Sequence, residues 1–100
     1  MSELTLDLLV DALVKQEQKK IREGEKFHPV EDICDLHERF LWVPIPFQFY
    51  DEFLNCTVEA TYTIWSDGTD ELYEEMCNLL KGVTPEIIHS INHRVLARCD

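Results

Sequence analysis

Leu6, Leu9, Val10, Leu13 and Val14 recur at the i, i+3, i+4, i+7 spacing of one buried helical face, and they predict a helix over residues 3–23. Asp7 suits the positive N-terminal end of that helix and Gly24 is a natural stop. Its second half, "KQEQKKIREGEK", holds Ile21 as its one apolar residue. This is the one net basic stretch of the chain, and it reads as a solvated continuation of the helix. "HPVEDICDLHERFL" predicts a second helix with Pro29 at its first position, where the missing N–H costs nothing. Val30, Ile33, Cys34, His37 and Leu41 would form its apolar stripe. Val43-Pro44 and Ile45-Pro46 then forbid helix, because each proline pushes the residue before it into an extended conformation.

The period changes from helical to alternating in "CTVEATYTIW". Val58, Ala60, Tyr62 and Ile64 take turns with Thr57, Glu59, Thr61 and Thr63, so one face of this strand meets water. "SDGTD" makes a turn. A third helix follows over 69–81, with Leu72, Tyr73, Met76, Leu79 and Leu80 inward and Gly82 ending it. "TPEIIHSINHRVLARC" predicts a fourth, capped by Thr84, with Pro85 in the first turn and Ile88, Ile91 and Val95 on its buried face. A single strand leaves its backbone groups without partners. The other extended stretch is 45–50, and the two would pair antiparallel across "DEFLN". The expected fold is therefore α+β, in the order α-α-β-β-α-α with a two-stranded antiparallel hairpin, in one small domain over residues 1–100. The alternative is a mostly α-helical domain, or a strand completed by another chain.

Composition narrows the class. The chain is 45% hydrophobic, a globular profile despite a net charge of −11. That charge repels phosphate backbones, so direct nucleic-acid binding is not expected, and a basic protein partner is. The longest apolar run lies near 41–50 and is interrupted by prolines, well short of the roughly twenty residues of a membrane span. "MSELTLDLLV" has acids where a signal peptide has a basic region, so an intracellular location is expected. Cys34, Cys56, Cys77 and Cys99 are widely spaced, as reduced thiols of a cytosolic chain are.

Candidate chemistry is sparse. Cys34 and His37 make a CxxH, and His89 and His93 an HxxxH, together enough for a tetrahedral zinc site. The first pair falls on an apolar stripe and the second at a polar helix edge, with no glycine-rich knuckle beside either. No bound metal and no cofactor are expected. There is no G-x-S-x-G and no family-like cysteine signature. Gly24, Gly68 and Gly82 each stand at a turn or helix end, which leaves none for a phosphate-cradling loop. A non-enzymatic protein is expected.

Two features suit an interaction surface. Asp67, Asp70, Glu71, Glu74 and Glu75 line "SDGTDELYEEMC". The dipole of the coming helix accounts for Asp70 and Glu71, whereas Glu74 and Glu75 lie a turn further on and fit a ridge meeting Lys and Arg of a partner. In "WVPIPFQFY", Phe47 and Phe49 are expected inside, while Trp42, Pro44, Ile45 and Pro46 form a connector that turns at the surface and serves for docking. The two Xaa-Pro bonds also offer a prolyl isomerase a substrate, which makes such an enzyme a second candidate partner.

From "MSELTLDLLVDALV" to "NHRVLARCD", the length, acidity and absence of catalytic motifs resemble the small accessory proteins of temperate phages. Within that group the chain is most similar to the anti-RecBCD proteins of lambdoid phages. The resemblance implies a host-cytoplasmic protein that binds and inhibits or modifies a host nuclease/helicase of DNA recombination. Immunity proteins, antitoxins and anti-CRISPR proteins that neutralise another nuclease share the profile and stand as the alternative. A zinc-bound regulatory domain built on Cys34, His37, His89 and His93 is a third reading.

Overall fold

The computed structural model describes residues 4–97, and the α+β order expected from the sequence is the order found. Helix α1 spans Leu6–Arg22, and the Thr5 hydroxyl accepts the Leu8 N–H at 3.1 Å as its N-cap. Leu9, Val10, Leu13 and Val14 are buried as the spacing requires. Gly24, at φ +95°, closes the helix in the left-handed conformation that glycine adopts without strain. The polar second half is less solvated than its composition suggests: Glu17 and Gln18 are buried. Gln18 Nε2 donates to the Arg94 and Val95 carbonyls at 3.4 and 3.5 Å, and Glu17 faces Arg39 at 3.9 Å and Lys20 at 3.8 Å. Partners on other elements make burial of these polar groups tolerable.

Helix α2 covers Ile33–Trp42, so it starts four residues later than Pro29 suggests. Asp32 caps it, accepting the Asp35 N–H at 2.8 Å. Residues 28–31 are held outside the helix because Asn92 of the last helix grips Val30 on both sides, accepting its N–H at 2.8 Å and donating to its carbonyl at 2.9 Å. Leu36, Phe40 and Leu41 face the core, while Ile33 and Cys34, expected in the stripe, are exposed.

Strands β1 (Ile45–Asp51) and β2 (Cys56–Tyr62) pair antiparallel, from Ile45 opposite Tyr62 to Asp51 opposite Cys56. The Asp51 carboxylate accepts the N–H groups of Phe53 and Leu54 at 2.8 and 3.3 Å, and Asn55 takes φ 54°, which together turn the chain. Strand β2 ends at Tyr62, not at Trp65. Thr63 caps a one-turn helix α3, Ile64–Asp67, its hydroxyl accepting the Ser66 N–H at 3.3 Å while Asp67 accepts the Thr63 N–H at 3.1 Å. A Cβ on Gly68 would lie 2.6 Å from the Ile64 carbonyl oxygen, so only glycine fits this exit.

Helix α4 runs Asp70–Leu80 from a Thr69 cap, with Met76 and Leu80 buried and Tyr73, expected inward, exposed. Helix α5 runs Pro85–Ala97 with Ile88, Ile91 and Val95 buried; the sequence-based end near residue 99, and Cys99, lie outside the described residues. Phe40, Leu9, Leu13, Leu36, Ile45, Met76 and Ile91 make the centre of the core. No described helix is long and apolar enough to cross a membrane. The radius of gyration, 14.6 Å, exceeds the roughly 13 Å of a compact chain of this length, because the hairpin extends from the helical layer.

Phe40→Ala should cost about 3–5 kcal/mol of folding stability, and Phe53→Ala at the exposed hairpin turn should stay within about 0.5 kcal/mol. Urea unfolding of both variants checks this. Equal losses would mean that the turn is packed.

Candidate functional site

Residues 40–80 build the end of α2, the hairpin, α3 and α4. They hold nine of the ten aromatics, every one except Phe27. They hold no Lys, Arg or His, and eight acids: Asp51, Glu52, Glu59, Asp67, Asp70, Glu71, Glu74 and Glu75. The described ion pairs, Glu17 with Lys20 and Arg39, Asp35 with Arg39, and Asp11 with Arg94, all lie outside this segment.

Two aromatic groups stand on it. Trp42, at the end of α2, is 52% exposed and lies against Trp65 of α3, itself 61% exposed, with ring centroids 5.4 Å apart. Each ring covers part of the other and leaves a face to solvent. The second group is on the hairpin. Phe47 stacks on Phe49 at 5.7 Å and meets the edge of Tyr62 at 5.6 Å. Phe47 is only half-buried and Phe49 is 43% exposed, against the expectation that both are inside. No helix lies over the distal half of the hairpin, so its apolar face is covered only at the root. Phe53 and Leu54 extend the bare surface to the turn, and Tyr50 is exposed on the opposite face with its hydroxyl bonded to Asn55.

The docking connector divides by alternation. Pro44 and Pro46 are exposed, as is Trp42, but Ile45 is fully buried and cannot meet a partner. Strand geometry turns Ile45 to the core while its two prolines face away, toward a cavity of about 550 Å³ beside α1 that Leu8, Ala12 and Thr61 also line. Among the acids, Asp67 is committed to capping Thr63. Asp70, Glu71, Glu74 and Glu75 are exposed, and none has a described ion-pair partner. Burial, and then the charge of Glu75, push the Tyr62 phenol above its ordinary pKa, so α4 sets a carboxylate close to the aromatic face of the hairpin.

Sequence reasoning missed Trp65 and the Phe53-Leu54 turn. Thr63, with Ser66 and Asp67 behind it, is the capping pattern that would have moved Trp65 from a strand to a helix. It also missed the partners of His37. His37 Nε2 lies 3.1 Å from the Tyr73 hydroxyl and 3.9 Å from Cys77 Sγ, while His89 and His93 are exposed on α5. Among the described residues no three metal-capable side chains gather, so Cys34, His37, His89 and His93 do not form one set. One ring nitrogen is shared between the phenol and the thiol, and the longer contact is to sulfur. His37 is thus better placed to bond Tyr73 than to activate Cys77 as a nucleophile. The hydrogen bond with Cys77 is the main influence raising the Tyr73 pKa.

No protein-family model, curated protein or solved structure matches the chain.

Glu75→Gln should bring the Tyr62 phenol down toward its ordinary range, though burial, the larger cause, remains. Absorbance or NMR titration of the tyrosines from neutral to alkaline pH reads this. A raised folded-state pKa contributes stability below the unfolded value, and that contribution is lost as pH rises through the folded value. Glu75→Gln should therefore lessen the alkaline loss of stability, and an unchanged alkaline melt would exclude Glu75 as a cause.

Proposed function

We propose that this is an acidic interaction protein that binds the basic, nucleic-acid-handling surface of a host enzyme and inhibits or redirects it. The observation that carries the reading is the segregation within residues 40–80, where exposed aromatics and unpaired carboxylates share a segment with no basic side chain. Exposed Trp and Tyr are the residues that most often anchor protein interfaces. Unpaired carboxylates around them favour a partner rich in Lys and Arg and speed the encounter. The ion pairs themselves, on α1, α2 and α5, involve no residue of this segment, although Glu17, Lys20 and Arg39 border Trp42, and Lys15, Lys19 and Lys20 line the cavity that Pro44 and Pro46 face.

The resemblance to anti-RecBCD proteins supplies the specific target, a RecBCD-like nuclease/helicase of the host cytoplasm. An immunity protein, antitoxin or anti-CRISPR protein uses the same surface against another nuclease. The docking residues are Trp42 with Trp65, Pro44 and Pro46 beside them, and Asp70, Glu71, Glu74 and Glu75 as the acidic rim. A prolyl isomerase acting at Pro44 or Pro46 is a second proposed partner, since both prolines are exposed.

The test is direct. Purified protein added to a RecBCD-type enzyme digesting linear duplex DNA should suppress or alter digestion, less so as salt rises, because exposed charges are screened over about 8 Å at physiological ionic strength. Trp42→Ala should weaken binding by about thirtyfold with little loss of stability, the effect of removing an interface tryptophan worth about 2 kcal/mol. Joint reversal of Glu74 and Glu75 to Lys should slow association. Binding that is indifferent to salt and to Trp42 would sink the reading.

A further inference from the structure

The two edges of the hairpin are not alike. On the β1 side, Pro44 precedes the strand and Pro46 lies in it, and prolines blunt an edge against pairing. The β2 side carries one such protection, the charge of the exposed Glu59, and it acts against acidic or self-pairing strands rather than basic ones. Cys56–Tyr62 has no proline, no lysine and an unbroken register without a bulge, and among the described residues β1 is its one partner strand.

The register says which groups are open. Pro46 stands opposite Thr61 and has no N–H for the ladder. The pairs that exchange both ladder bonds are therefore the alternate ones, from Ile45 with Tyr62 to Asp51 with Cys56. The backbone N–H and C=O groups of Thr57, Glu59 and Thr61 point outward, and no described backbone group bonds to them. Side chains flank this edge on both faces, Val58, Ala60 and Tyr62 half-buried on one and Glu59 exposed on the other.

We infer that the outer edge of β2 accepts an extended segment of the partner as a third strand, one that alternates basic and apolar residues. Its basic side chains lie beside Glu59 and its apolar ones beside Val58 and Ala60, completing the sheet face that Phe47 and Phe49 leave bare. Main-chain bonds to Thr57, Glu59 and Thr61 supply the pairing, and alternation supplies the selectivity. A second copy of this chain is a poor occupant. In the two-fold registers centred on residues 58, 59 or 60, Glu59 lies opposite or diagonal to its own copy, and each chain brings a net charge of −11. The inference rests on the interaction reading above and specifies its mode of contact.

The probe is a capped seven-residue peptide alternating lysine and valine, titrated into the full-length protein and followed by NMR and amide hydrogen exchange. Exchange at Thr57, Glu59 and Thr61 should slow about tenfold at saturation, and N-methylation of the peptide at alternate residues should weaken binding about tenfold. A glutamate/valine peptide should fail with the natural chain and bind the E59K variant, which gives up only the exposed 3.0 Å hydrogen bond from Gln48 to Glu59 and whose fold is checked by its NMR spectrum. Binding that leaves the three amides exchanging as before overturns edge pairing and leaves the interaction reading standing. Failure of the lysine/valine peptide to bind overturns it as well. Slowed exchange without peptide, at twice the monomer mass in sedimentation, assigns the edge to a second copy and overturns the chosen occupant. The nuclease assay with Trp42→Ala judges the interaction reading independently of all these results.

Discussion

The burial of Val43 and Ile45 is the contact on which the hairpin depends. Both are fully buried, and the prolines between and after them are exposed. Alternation in an extended chain makes this arrangement possible: every second side chain enters the core, and the rest need not. Phe40 and Leu41 end the helical anchor just before, so four large apolar residues within six positions fix where the chain leaves α2 and how the hairpin is oriented. The prolines reduce the freedom of the connector in the unfolded chain, which lowers the entropic cost of holding that exit. Beyond Ile45 the strand pairs with β2 alone for most of its length. An isolated two-stranded hairpin is marginal in water, so the root must hold the distal half in place.

Charge is arranged to match. Arg39 reaches Asp35 at 3.1 Å, Glu17 at 3.9 Å and the Pro29 carbonyl at 3.3 Å, tying α1, α2 and the connecting loop together. Arg94 joins α5 to Asp11 on α1. Lys20, Arg39 and Arg94 are thus paired within the helical layer, and among the described residues the carboxylates of the hairpin, α3 and α4 make no ion pair. Like charge there opposes self-association, and this allows aromatic side chains to stay exposed that would otherwise invite aggregation. The same repulsion costs the folded state some stability, an expense confined to exposed groups where solvent screens it.

The helices were legible where a strong apolar period and a cap coincide. Thr69 with Met76 and Leu80, and Thr84 with Ile88, Ile91 and Val95, put α4 and α5 where their spacing predicts. The hairpin was legible because the alternation of 56–62 demands a partner and the prolines leave one extended candidate. The errors have a common origin in tertiary contacts that local pattern does not carry. Asn92, 62 positions from Val30, holds the start of the second helical segment in a loop, and the helix packs through Leu36, Phe40 and Leu41, leaving Ile33 and Cys34 exposed. Phe49 has the right parity for burial, but parity names only a face; whether a helix lies over that face depends on how far the layer extends. The same limit split the candidate site. Trp42, Pro44 and Pro46 reach the surface, while Ile45, chosen with them as one apolar stretch, belongs to the core.

That split explains why "WVPIPFQFY" is so apolar in an acidic chain. It performs two tasks, divided by alternation at the root and by distance from the helical layer further out. Val43 and Ile45 supply the anchor, and Trp42, Phe49 and Tyr50 supply exposed rings on either side of it. Stability and recognition are therefore separated in space, Pro44 and Pro46 by facing away from Val43 and Ile45, and Phe49 by lying on the same face but beyond the helical layer. A side chain in the distal hairpin contributes little to the folding of the helical layer, and its identity is free to follow a partner. A side chain at the root has no such freedom, because a substitution there leaves a void in the core and releases the hairpin as well.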